Sequence, residues 1–333
     1  MISKVKYIIR EQTNPYDNLA LEEVLTQTTE KDTVILYLWQ NANTVVIGKN
    51  QNPWKECKVR ELNENGGFLA RRLSGGGAVF HDLGNLNFTF VAANENYDVV
   101  RQLEVILLAV KKLGINAEKT GRNDITVSGR KFSGNAFYNN GTNSYHHGTL
   151  LINANMSTLS KYLTVSKQKL SSKGVNSVQS RVANLNEFNT EVTICSMKEK
   201  LIEAFGEVYG ITPQKLTEDE FDKAVLAESR EKFASWEWLF GKRLEFTATM
   251  NEKFVWGEIE IQLQVDKGKV KKALIYTDAM EHSGFELIED ALKDCIFSTV
   301  GMAQAVCKLA KNNGELKQTI LNDIQGLILR QNF

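Results

Sequence analysis

Apolar and polar residues follow two periodicities along this chain, and these predict its secondary structure. Alternation at every second residue is typical of half-buried strands, whereas recurrence near every 3.6 residues is typical of amphipathic helices. One stretch, for example, places Leu103, Ile106 and Val110 at helical spacing. On this basis the first part of the chain has predicted strands at residues 4–9, 34–39, 44–48, 68–73, 85–92 and 145–153, and predicted helices at residues 15–29, 97–113, 197–209 and 218–232.

The pattern changes near residue 242, which predicts a domain boundary there. Beyond this point, alternating stretches predict three antiparallel strands, with Lys267 and Gly268 as the turn between the last two. We therefore expect a larger domain at residues 1–242 and a small α+β domain at residues 243–333. The elements predicted in the second domain are strands at residues 244–249, 255–265 and 269–277, and helices at residues 287–293, 299–311 and 316–329.

Composition and charge narrow the range of functions. Hydrophobic residues make up 42% of the 333 residues, enough for a sizeable core, and 40 basic side chains balance 40 acidic ones. This balance gives no indication of a nucleic-acid partner. The four cysteines include no Cys-x-x-Cys pair, which argues against structural zinc and suits a reducing compartment. The polar N-terminus and the lack of an apolar run of about 20 residues predict a soluble cytoplasmic protein without membrane contact.

The most informative stretch covers residues 71–90, which begins with Arg71 and Arg72 and passes through three consecutive glycines. Consecutive glycines destabilise helices and strands, but they let main-chain N–H groups approach an anion. A glycine-rich hairpin between two strands is the alternative explanation. The flanking Arg-Arg-x-Ser and His-Asp favour an anion site, because guanidinium groups suit phosphate or carboxylate. Since neighbouring strand residues point to opposite faces, we expect only one of the two arginines to face the ligand.

A second candidate stretch, residues 121–136, predicts a tight hairpin that turns at Ser128 and Gly129. Asp124 precedes an apolar strand, where its carboxylate is suited to holding magnesium or water. Lys131 lies on the returning strand and can contact a phosphate or carbonyl group as a point charge.

Three other side chains have simpler interpretations. The adjacent histidines His146 and His147 have no carboxylate or cysteine at metal-ligand spacing, so a structural or substrate-facing role is favoured over a metal site. Trp54 is expected to pack in the core.

Residues 71–90 resemble the signature of the lipoate–protein ligase family, Arg-Arg-x-Ser-Gly-Gly-Gly-Ala-Val-Phe-His-Asp-x-Gly-Asn, which in that family holds an acyl-adenylate. The C-terminal unit is similar to the accessory domain of the bacterial single-chain ligases of type A. The resemblance covers most of the chain, because five further stretches match in the family's order: residues 52–57, 121–136, 146–153, 173–185 and 235–238.

This resemblance implies an α+β fold in which a mixed sheet is flanked by helices, as in biotin protein ligases, plus a small α+β C-terminal domain. It implies that ATP and lipoate, or octanoate, form lipoyl-AMP and pyrophosphate with Mg²⁺, and that a protein lysine then accepts the acyl group. The implied acceptors are lipoyl domains of 2-oxoacid dehydrogenase complexes and the H protein of the glycine cleavage system. We expect a monomer.

The resemblance also implies roles for individual residues. Lys131 aligns with the family's invariant lysine and is expected to be catalytic, and Asp124 is the expected Mg²⁺ ligand. The residues expected to bind ATP and lipoyl-AMP are Arg72, Ser74, Gly75, Gly76, Gly77, Ala78, Val79, Phe80, Asn123, Asp124 and Lys131. Those expected to line the lipoate pocket are His147, Gly148 and Arg71. Those expected in the adenylate-binding loop are Lys173, Gly174, Val175, Ser177 and Val178.

Three alternatives remain at this point. An ATP-independent octanoyl or lipoyl transferase shares the lysine motif, and some such enzymes use a cysteine nucleophile, but no cysteine adjoins the glycine stretch or the two histidines. Biotin ligation shares the fold but has a differently arranged glycine–arginine motif. A binding paralogue without turnover is disfavoured by the presence of Lys131 and the whole glycine motif.

Overall fold

A computed structural model of the chain describes residues 1–121, 124–164, 182–241, 248–310 and 316–331. Its residues form two compact units. The boundary expected between residues 242 and 243 stays a prediction, because residues 242–247 lie outside these ranges. The first unit consists of Met1–Val46, Lys55–Ala70 and Val79–Ser235, and the second of Ile47–Trp54, Arg71–Ala78 and Trp236–Phe333.

A mixed sheet of eight strands dominates the first unit. The strand order is β11-β1-β2-β6-β10-β9-β8-β7, with β1 parallel to β2 and β11 and the remaining neighbours antiparallel. This mixed architecture confirms the predicted fold class. The strands up to residue 215 are β1 (Lys4–Ile9), β2 (Thr33–Trp39), β3 (Thr44–Ile47), β4 (Phe68–Arg71), β5 (Val79–His81), β6 (Asn85–Ala93), β7 (Glu118–Thr120), β8 (Asp124–Val127), β9 (Arg130–Asn139), β10 (Asn143–Leu151) and β11 (Gln214–Lys215).

The main core lies on one face of this sheet. Leu86, Phe88 and Phe90 of β6 are fully buried there against apolar side chains of the two helices that cover this face, α4 (Val99–Lys112) and α6 (Ile194–Tyr209). The helices up to residue 240 are α1 (Pro15–Thr28), α2 (Pro53–Glu56), α3 (Val59–Glu64), α4 (Val99–Lys112), α5 (Met156–Tyr162), α6 (Ile194–Tyr209), α7 (Lys223–Ala234) and α8 (Trp236–Phe240).

Capping side chains explain where several predicted helices begin. Asp98 accepts the N–H of Arg101 (3.1 Å), so α4 begins at residue 99, near the expected start. Thr193 accepts the N–H of Ser196 (3.1 Å), which starts α6 three residues earlier than expected. The helix expected from residue 218 is interrupted, because Asp222 caps a separate helix by accepting the N–H of Ala224 (2.8 Å).

The hairpin of β8 and β9 turns as predicted at Ser128 and Gly129. Both residues have positive φ (51° and 74°), the geometry of a two-residue turn that matches the twist of the strands. The pairing shifts between Thr126↔Lys131 and Ile125↔Ser133, so β9 contains one extra residue, Phe132. Such a bulge changes which side chains share a face.

The glycine stretch is not a hairpin between two paired strands. The strands before and after it, β4 and β5, lie on either side of β3 in a three-stranded sheet of order β4-β3-β5. The hairpin alternative is therefore wrong. The chain between Arg71 and Val79 must pass across the end of β3, which requires a longer excursion than a tight turn.

A three-stranded antiparallel sheet, β12-β13-β14, and three helices form most of the second unit. Its hairpin turns at Lys267 and Gly268 as predicted, again with positive φ (48° and 72°). Trp54 was expected in the core, but it is 59% exposed and packs against Phe240, with ring centroids 4.9 Å apart. The elements are β12 (Ala248–Lys253), β13 (Glu258–Asp266), β14 (Lys269–Thr277), α9 (Phe285–Leu292), α10 (Thr299–Ala310) and α11 (Gln318–Leu329). Within the described ranges, no helix has the length and apolar character needed to cross a membrane.

Candidate active site

A row of paired residues crosses the face of the large sheet opposite to α4 and α6. Trp39 on β2 pairs with Asn87 on β6, and Asn87 pairs with Thr149 on β10. The N–H of Gly134 on β9 donates to Thr149 Oγ1 (3.3 Å), and Gly134 pairs with Asp124 on β8. The sheet therefore presents a continuous polar face across five strands, which we call the polar face.

Lys131 and Asp124, both predicted site residues, meet on this face. Lys131 Nζ lies 2.7 Å from Asp124 Oδ1, and both side chains are 37% exposed. The amine also lies beside Gly134, since a Cβ added to that glycine would be 3.0 Å from Nζ. The main chain of Lys131 is held on both sides, because it pairs with Thr126 and its carbonyl accepts the N–H of Ala183 (2.9 Å). A fixed backbone thus carries a reachable primary amine.

His147, predicted for the lipoate pocket, belongs to a buried network on the same face. Its Nδ1 lies 2.8 Å from Glu22 Oε1, which also accepts a hydrogen bond from Thr89 Oγ1 (2.7 Å). Trp39 Nε1 donates to Thr89 Oγ1 (3.1 Å). Glu22 is only 1% exposed, so these partners satisfy a carboxyl group that water does not reach.

Sequence reasoning missed Glu22, although a pattern in α1 could have revealed it. Asn18, Glu22 and Thr26 recur at every fourth residue and are all buried, so they form a polar stripe along a helix whose other buried positions are mainly apolar. A repeated polar residue at i, i+4 and i+8 marks one helix face. That face lies against β6 and β10 in this sheet.

His146 points to the opposite, core-facing side of β10. Its Nε2 lies 2.7 Å from Asn135 Oδ1 and its Nδ1 lies 3.2 Å from Gln102 Oε1. Burial, with smaller contributions from the charges of His147 and Lys119, lowers the pKa of His146 to about 3. Among the residues that the structure describes, no group of three or more His, Cys, Asp or Glu side chains could hold a metal ion.

Gly148, also predicted for the lipoate pocket, turns its missing side chain toward the core. A Cβ there would lie 2.6 Å from the carbonyl oxygen of Gly134 and 2.7 Å from the ring of Phe88. Only its main chain can therefore contribute to the polar face.

Arg71 lies in the second unit and was predicted for the lipoate pocket. Arg71 is 3% exposed, and burial lowers the pKa of its guanidinium to about 10. In this position it bonds main-chain oxygens on two segments and holds them together. The acceptors are the carbonyls of Gly48 (3.3 Å), Lys49 (2.8 Å), Gln51 (2.8 Å), Trp238 (2.9 Å) and Leu239 (2.7 Å).

Arg72 folds back onto the glycine segment. Its guanidinium donates to Ser74 Oγ (3.0 Å) and to the carbonyls of Gly75 (2.7 Å) and Gly77 (2.8 Å). Both arginines are buried, and the expectation that only one of them faces the ligand stays a prediction. The pair divides its contacts, with Arg71 bonded to neighbouring segments and Arg72 to the glycines themselves.

Close approach of main chains explains two of the three glycines. A Cβ at Gly75 would lie 2.4 Å from the carbonyl oxygen of Ala279, and the N–H of Gly76, whose φ is 90°, donates to that oxygen (2.7 Å). A Cβ at Gly77, in contrast, would meet no atom within 4 Å. No local pattern in the sequence predicts that Ala279 adjoins this segment.

The other predicted site residues lie around the start of β5 or outside the described residues. Val79 and Phe80 begin β5 and pair with β3, directly after Ala78. Asn123 and the whole predicted adenylate-binding loop, Lys173, Gly174, Val175, Ser177 and Val178, lie outside the described residues.

The cysteines give no support to a thiol nucleophile. Cys57 is buried, and desolvation raises the pKa of its thiol to about 12, the opposite of what a reactive thiolate requires. Cys195 is exposed on α6, and its Sγ lies 3.7 Å from Glu199 Oε1.

The sequence matches two described protein families in succession. Residues 14–206 match the family "Lipoyl protein ligase A/B catalytic domain", and residues 243–328 match "Bacterial lipoate protein ligase C-terminus". A curated relative, Lipoate-protein ligase A of Psychrobacter cryohalolentis, is 43% identical over 299 residues, which are 87% of this chain and 88% of the relative.

Solved structures show the same likeness. The P. falciparum protein LipL1 in complex with lipoate is 30% identical with a TM-score of 0.83, covering 98% of this chain and 100% of that one. A bipartite lipoate protein ligase with its E2 lipoyl domain from Thermoplasma acidophilum is 27% identical with a TM-score of 0.65, covering 74% and 99%. A lipoate-protein ligase A bound with ATP is 27% identical with a TM-score of 0.63, covering 72% and 99%.

Proposed function

Because this chain belongs to the lipoate–protein ligase A family and is therefore a ligase that forms carbon–nitrogen bonds, we propose that it activates lipoate with ATP and transfers the lipoyl group to a protein lysine. The observation that carries this proposal is the amine of Lys131, held 2.7 Å from Asp124 on the polar face. In support, one similar structure is a complex with lipoate and another is bound with ATP.

In the proposed first step, a carboxylate oxygen of lipoate attacks the α-phosphorus of ATP. The bond from that phosphorus to the bridging oxygen breaks, and pyrophosphate leaves with the electron pair. Negative charge builds on the phosphoryl oxygens in this step. The amine of Lys131 stabilises this negative charge as a preorganised cation. To do so, it leaves Asp124 and contacts the phosphoryl and acyl oxygens.

In the proposed second step, the ε-amine of the acceptor lysine attacks the acyl carbon of lipoyl-AMP. The bond from that carbon to the phosphate oxygen breaks, AMP leaves with the electron pair, and the new amide nitrogen releases a proton. The acyl oxygen carries negative charge in the tetrahedral intermediate, and the amine of Lys131 is again the cation that we assign to it.

The lipoyl group itself requires a pocket with both apolar and polar walls. We assign this role to the part of the polar face around His147, where Trp39 supplies an aromatic surface and Glu22 fixes the imidazole. The main chain of Gly148 adjoins this pocket. Arg71, which we expected there, already donates to five carbonyl groups, so its proposed contribution is to fix the segments that begin the glycine motif.

The nucleotide is assigned to the glycine segment, as the family signature implies. The proposed contacts come from Arg72, Ser74, Gly75, Gly76, Gly77, Ala78, Val79 and Phe80, with Asn123, Asp124 and Lys131. Phosphates suit this segment because main-chain N–H groups and a guanidinium are close together. The carbonyl groups that Arg72 now contacts would be exchanged for phosphate oxygens, and the loop at residues 173–178 would complete the adenylate site.

Magnesium and the acceptor proteins complete the proposal. Mg²⁺ prefers one or two carboxylates together with substrate phosphates, and Asp124 is a carboxylate of that kind. Bound Mg²⁺ would neutralise phosphate charge. As acceptors we propose lipoyl domains, in keeping with the E2 lipoyl domain named for the T. acidophilum ligase, and the H protein of glycine cleavage. We further propose a cytoplasmic monomer that also accepts octanoate.

The decisive experiment measures the intact mass of a purified lipoyl domain after incubation with this protein, lipoate and magnesium, with and without ATP. We expect a lipoyl adduct only with ATP, together with release of pyrophosphate. An adduct that forms from an acylated donor protein without ATP would contradict the proposal and identify a transferase. Binding of lipoate with no pyrophosphate release would identify a binding protein without turnover.

A further inference from the structure

Two buried asparagines lie at the start of β6 on the polar face. Asn85 and Asn87 are each 1% exposed, and Asn85 Nδ2 donates to Asn87 Oδ1 (2.9 Å). Across the described part of the chain, Asn87 Nδ2 and Asn85 Oδ1 have no hydrogen-bond partner. Leaving a buried donor without an acceptor costs free energy, so such a group in a native protein calls for an explanation.

The position of Asn87 suggests what its free donor is for. Asn87 pairs with Thr149, and Thr149 Oγ1 accepts the N–H of Gly134, beside which the amine of Lys131 lies. Two strand spacings of about 4.8 Å each separate Asn87 from Gly134, so the two main chains are roughly 10 Å apart. A small group bound on the polar face over Thr149 can therefore contact both the Asn87 amide and the Lys131 amine.

On its other side, Asn87 adjoins the buried network around His147. Thr89, two residues further along β6 and on the same face, pairs with His147 and donates to Glu22. Asn87 thus lies between the residues assigned to the lipoyl group and the lysine assigned to the phosphate. The part of the substrate that joins these two regions is its carboxyl group.

We propose that Asn87 is a further catalytic residue, whose Nδ2–H group donates to the acyl oxygen of lipoate. This inference rests on the proposed function and deepens it. Asn85 is a positioning residue, since its own donor occupies Asn87 Oδ1 and so leaves only the N–H side of the Asn87 amide for the substrate.

The proposed contact strengthens along the reaction. The acyl oxygen becomes fully negative in the tetrahedral intermediate, when the lysine nitrogen bonds to the acyl carbon and before the bond to AMP breaks. A fixed N–H donor directed at such an oxygen stabilises the charge, and removing one costs roughly 100-fold to 1,000-fold in kcat. The negative charge on the acyl oxygen would therefore be stabilised by two groups, the neutral N–H donor of Asn87 and the cationic amine of Lys131.

The first test measures, in the full-length protein, transfer of the lipoyl group from lipoyl-AMP to a purified lipoyl domain and lipoate-dependent exchange of pyrophosphate into ATP, together with the melting temperature. Asn87→Leu removes the donor at similar volume, and we expect the kcat of transfer to fall about 100-fold, with a smaller effect on pyrophosphate exchange. The melting temperature should fall slightly, because the variant leaves Asn85 Nδ2 without its acceptor. Asn87→Asp keeps the shape without an N–H donor and should lose activity as well. The matched control is Gln102→Leu, since Gln102 Nε2 is also buried without a partner among the described residues, but on the core-facing side.

A second measurement identifies the oxygen concerned. We expect Asn87→Leu to weaken binding of an acyl-sulfamoyl adenylate analogue, which keeps the acyl oxygen, roughly tenfold. An alkyl-phosphate analogue that lacks this oxygen should bind wild type and variant equally. A structural defect would weaken both analogues, so equal weakening of both overturns the inference.

Different results would overturn the role of Asn87 and the proposed function. If the wild-type protein exchanges pyrophosphate and both Asn87 variants transfer the lipoyl group with an unchanged kcat, the role of Asn87 alone is overturned. A reduced kcat in Gln102→Leu equal to that in Asn87→Leu also overturns it, because any buried amide would then matter. Wild-type protein that exchanges no pyrophosphate overturns both proposals.

Discussion

The two faces of the large sheet use the same strands for different purposes. His146 and His147 are neighbours on β10, yet one lies between two amides in a desolvated core and the other contacts Glu22 in the network around Trp39. The core-facing side is closed by apolar side chains of α4 and α6. The polar face instead holds a partly exposed ion pair. The same residue type therefore has different roles on the two faces, because strand alternation places His146 in the core and His147 on the polar face.

The largest effect should come from Lys131→Ala, which removes the cation of the polar face. We expect lipoyl-AMP formation to fall about 1,000-fold, since no other described cation replaces the amine beside Asp124. The melting temperature should change little, because partly exposed ion pairs are worth only about 0–1 kcal/mol. Pyrophosphate exchange measures the loss of lipoyl-AMP formation, and thermal unfolding measures the melting temperature. An active, well-folded variant would refute the assignment.

Gly148→Ala should act on the core-facing side although it adjoins His147. The new methyl group would press on the Gly134 carbonyl and the Phe88 ring, and overpacking of this kind costs about 1–3 kcal/mol. Urea unfolding measures this loss. If stability were unchanged and only the KM for lipoate rose, Gly148 would line the pocket directly, as the sequence led us to expect, and the contrast between the faces would weaken.

His146 should make stability depend on pH. Its pKa of about 3 in the folded state lies below the 6.5 of the free side chain, so the unfolded chain takes up a proton that the folded chain does not. The free energy of unfolding should therefore fall as the pH drops from 6.5 toward 3. His146→Leu should lose about 2 kcal/mol at pH 7, because two amides lose a partner.

Urea unfolding at several pH values checks this prediction. The difference in stability between wild type and His146→Leu should shrink toward low pH, while the KM for lipoate stays unchanged at pH 7. A difference that is independent of pH would mean that His146 is not held neutral by the core.

The smallest effect should come from Arg130→Ala, the matched control for Lys131. Arg130 is the preceding residue and pairs with Glu187 at 2.8 Å on the protein surface. Its removal should cost less than about 1 kcal/mol and leave pyrophosphate exchange intact. A large loss of activity here would show that the charge of Lys131 alone does not account for catalysis.

Local patterns in the sequence predicted much of this structure. The turns at Ser128 and Lys267 could be predicted because two-residue hairpins demand particular residues, and the helix at Val99–Lys112 because its apolar period is regular. The fold class and the ligase family followed from the resemblance, which the comparisons confirm. That Lys131 and Asp124 lie on neighbouring strands followed from the hairpin, whereas the bulge that pairs Asp124 with Gly134 did not.

Contacts distant in sequence could not be predicted. Glu22 meets His147 across 125 residues, and Gly76 meets Ala279 across 203, so no local period relates them. Sequence reasoning also placed Trp54 in the core, since aromatic residues usually lie there, whereas it stacks on Phe240 with much of its surface exposed. Arg71 shows the same limit, because only tertiary structure reveals that main-chain carbonyls occupy its donors.

The bulge at Phe132 affects how fast the amine of Lys131 can leave Asp124 for a phosphate in the proposed reaction. Phe132 is fully buried, Thr126 pairs with Lys131, and Ala183 bonds the Lys131 carbonyl, so the backbone beneath the amine is immobilised. Only the four-carbon side chain has to move when the amine leaves Asp124 for a phosphate. Partly exposed side chains change rotamer within picoseconds to nanoseconds, so this exchange needs neither a loop nor a domain movement and cannot limit turnover.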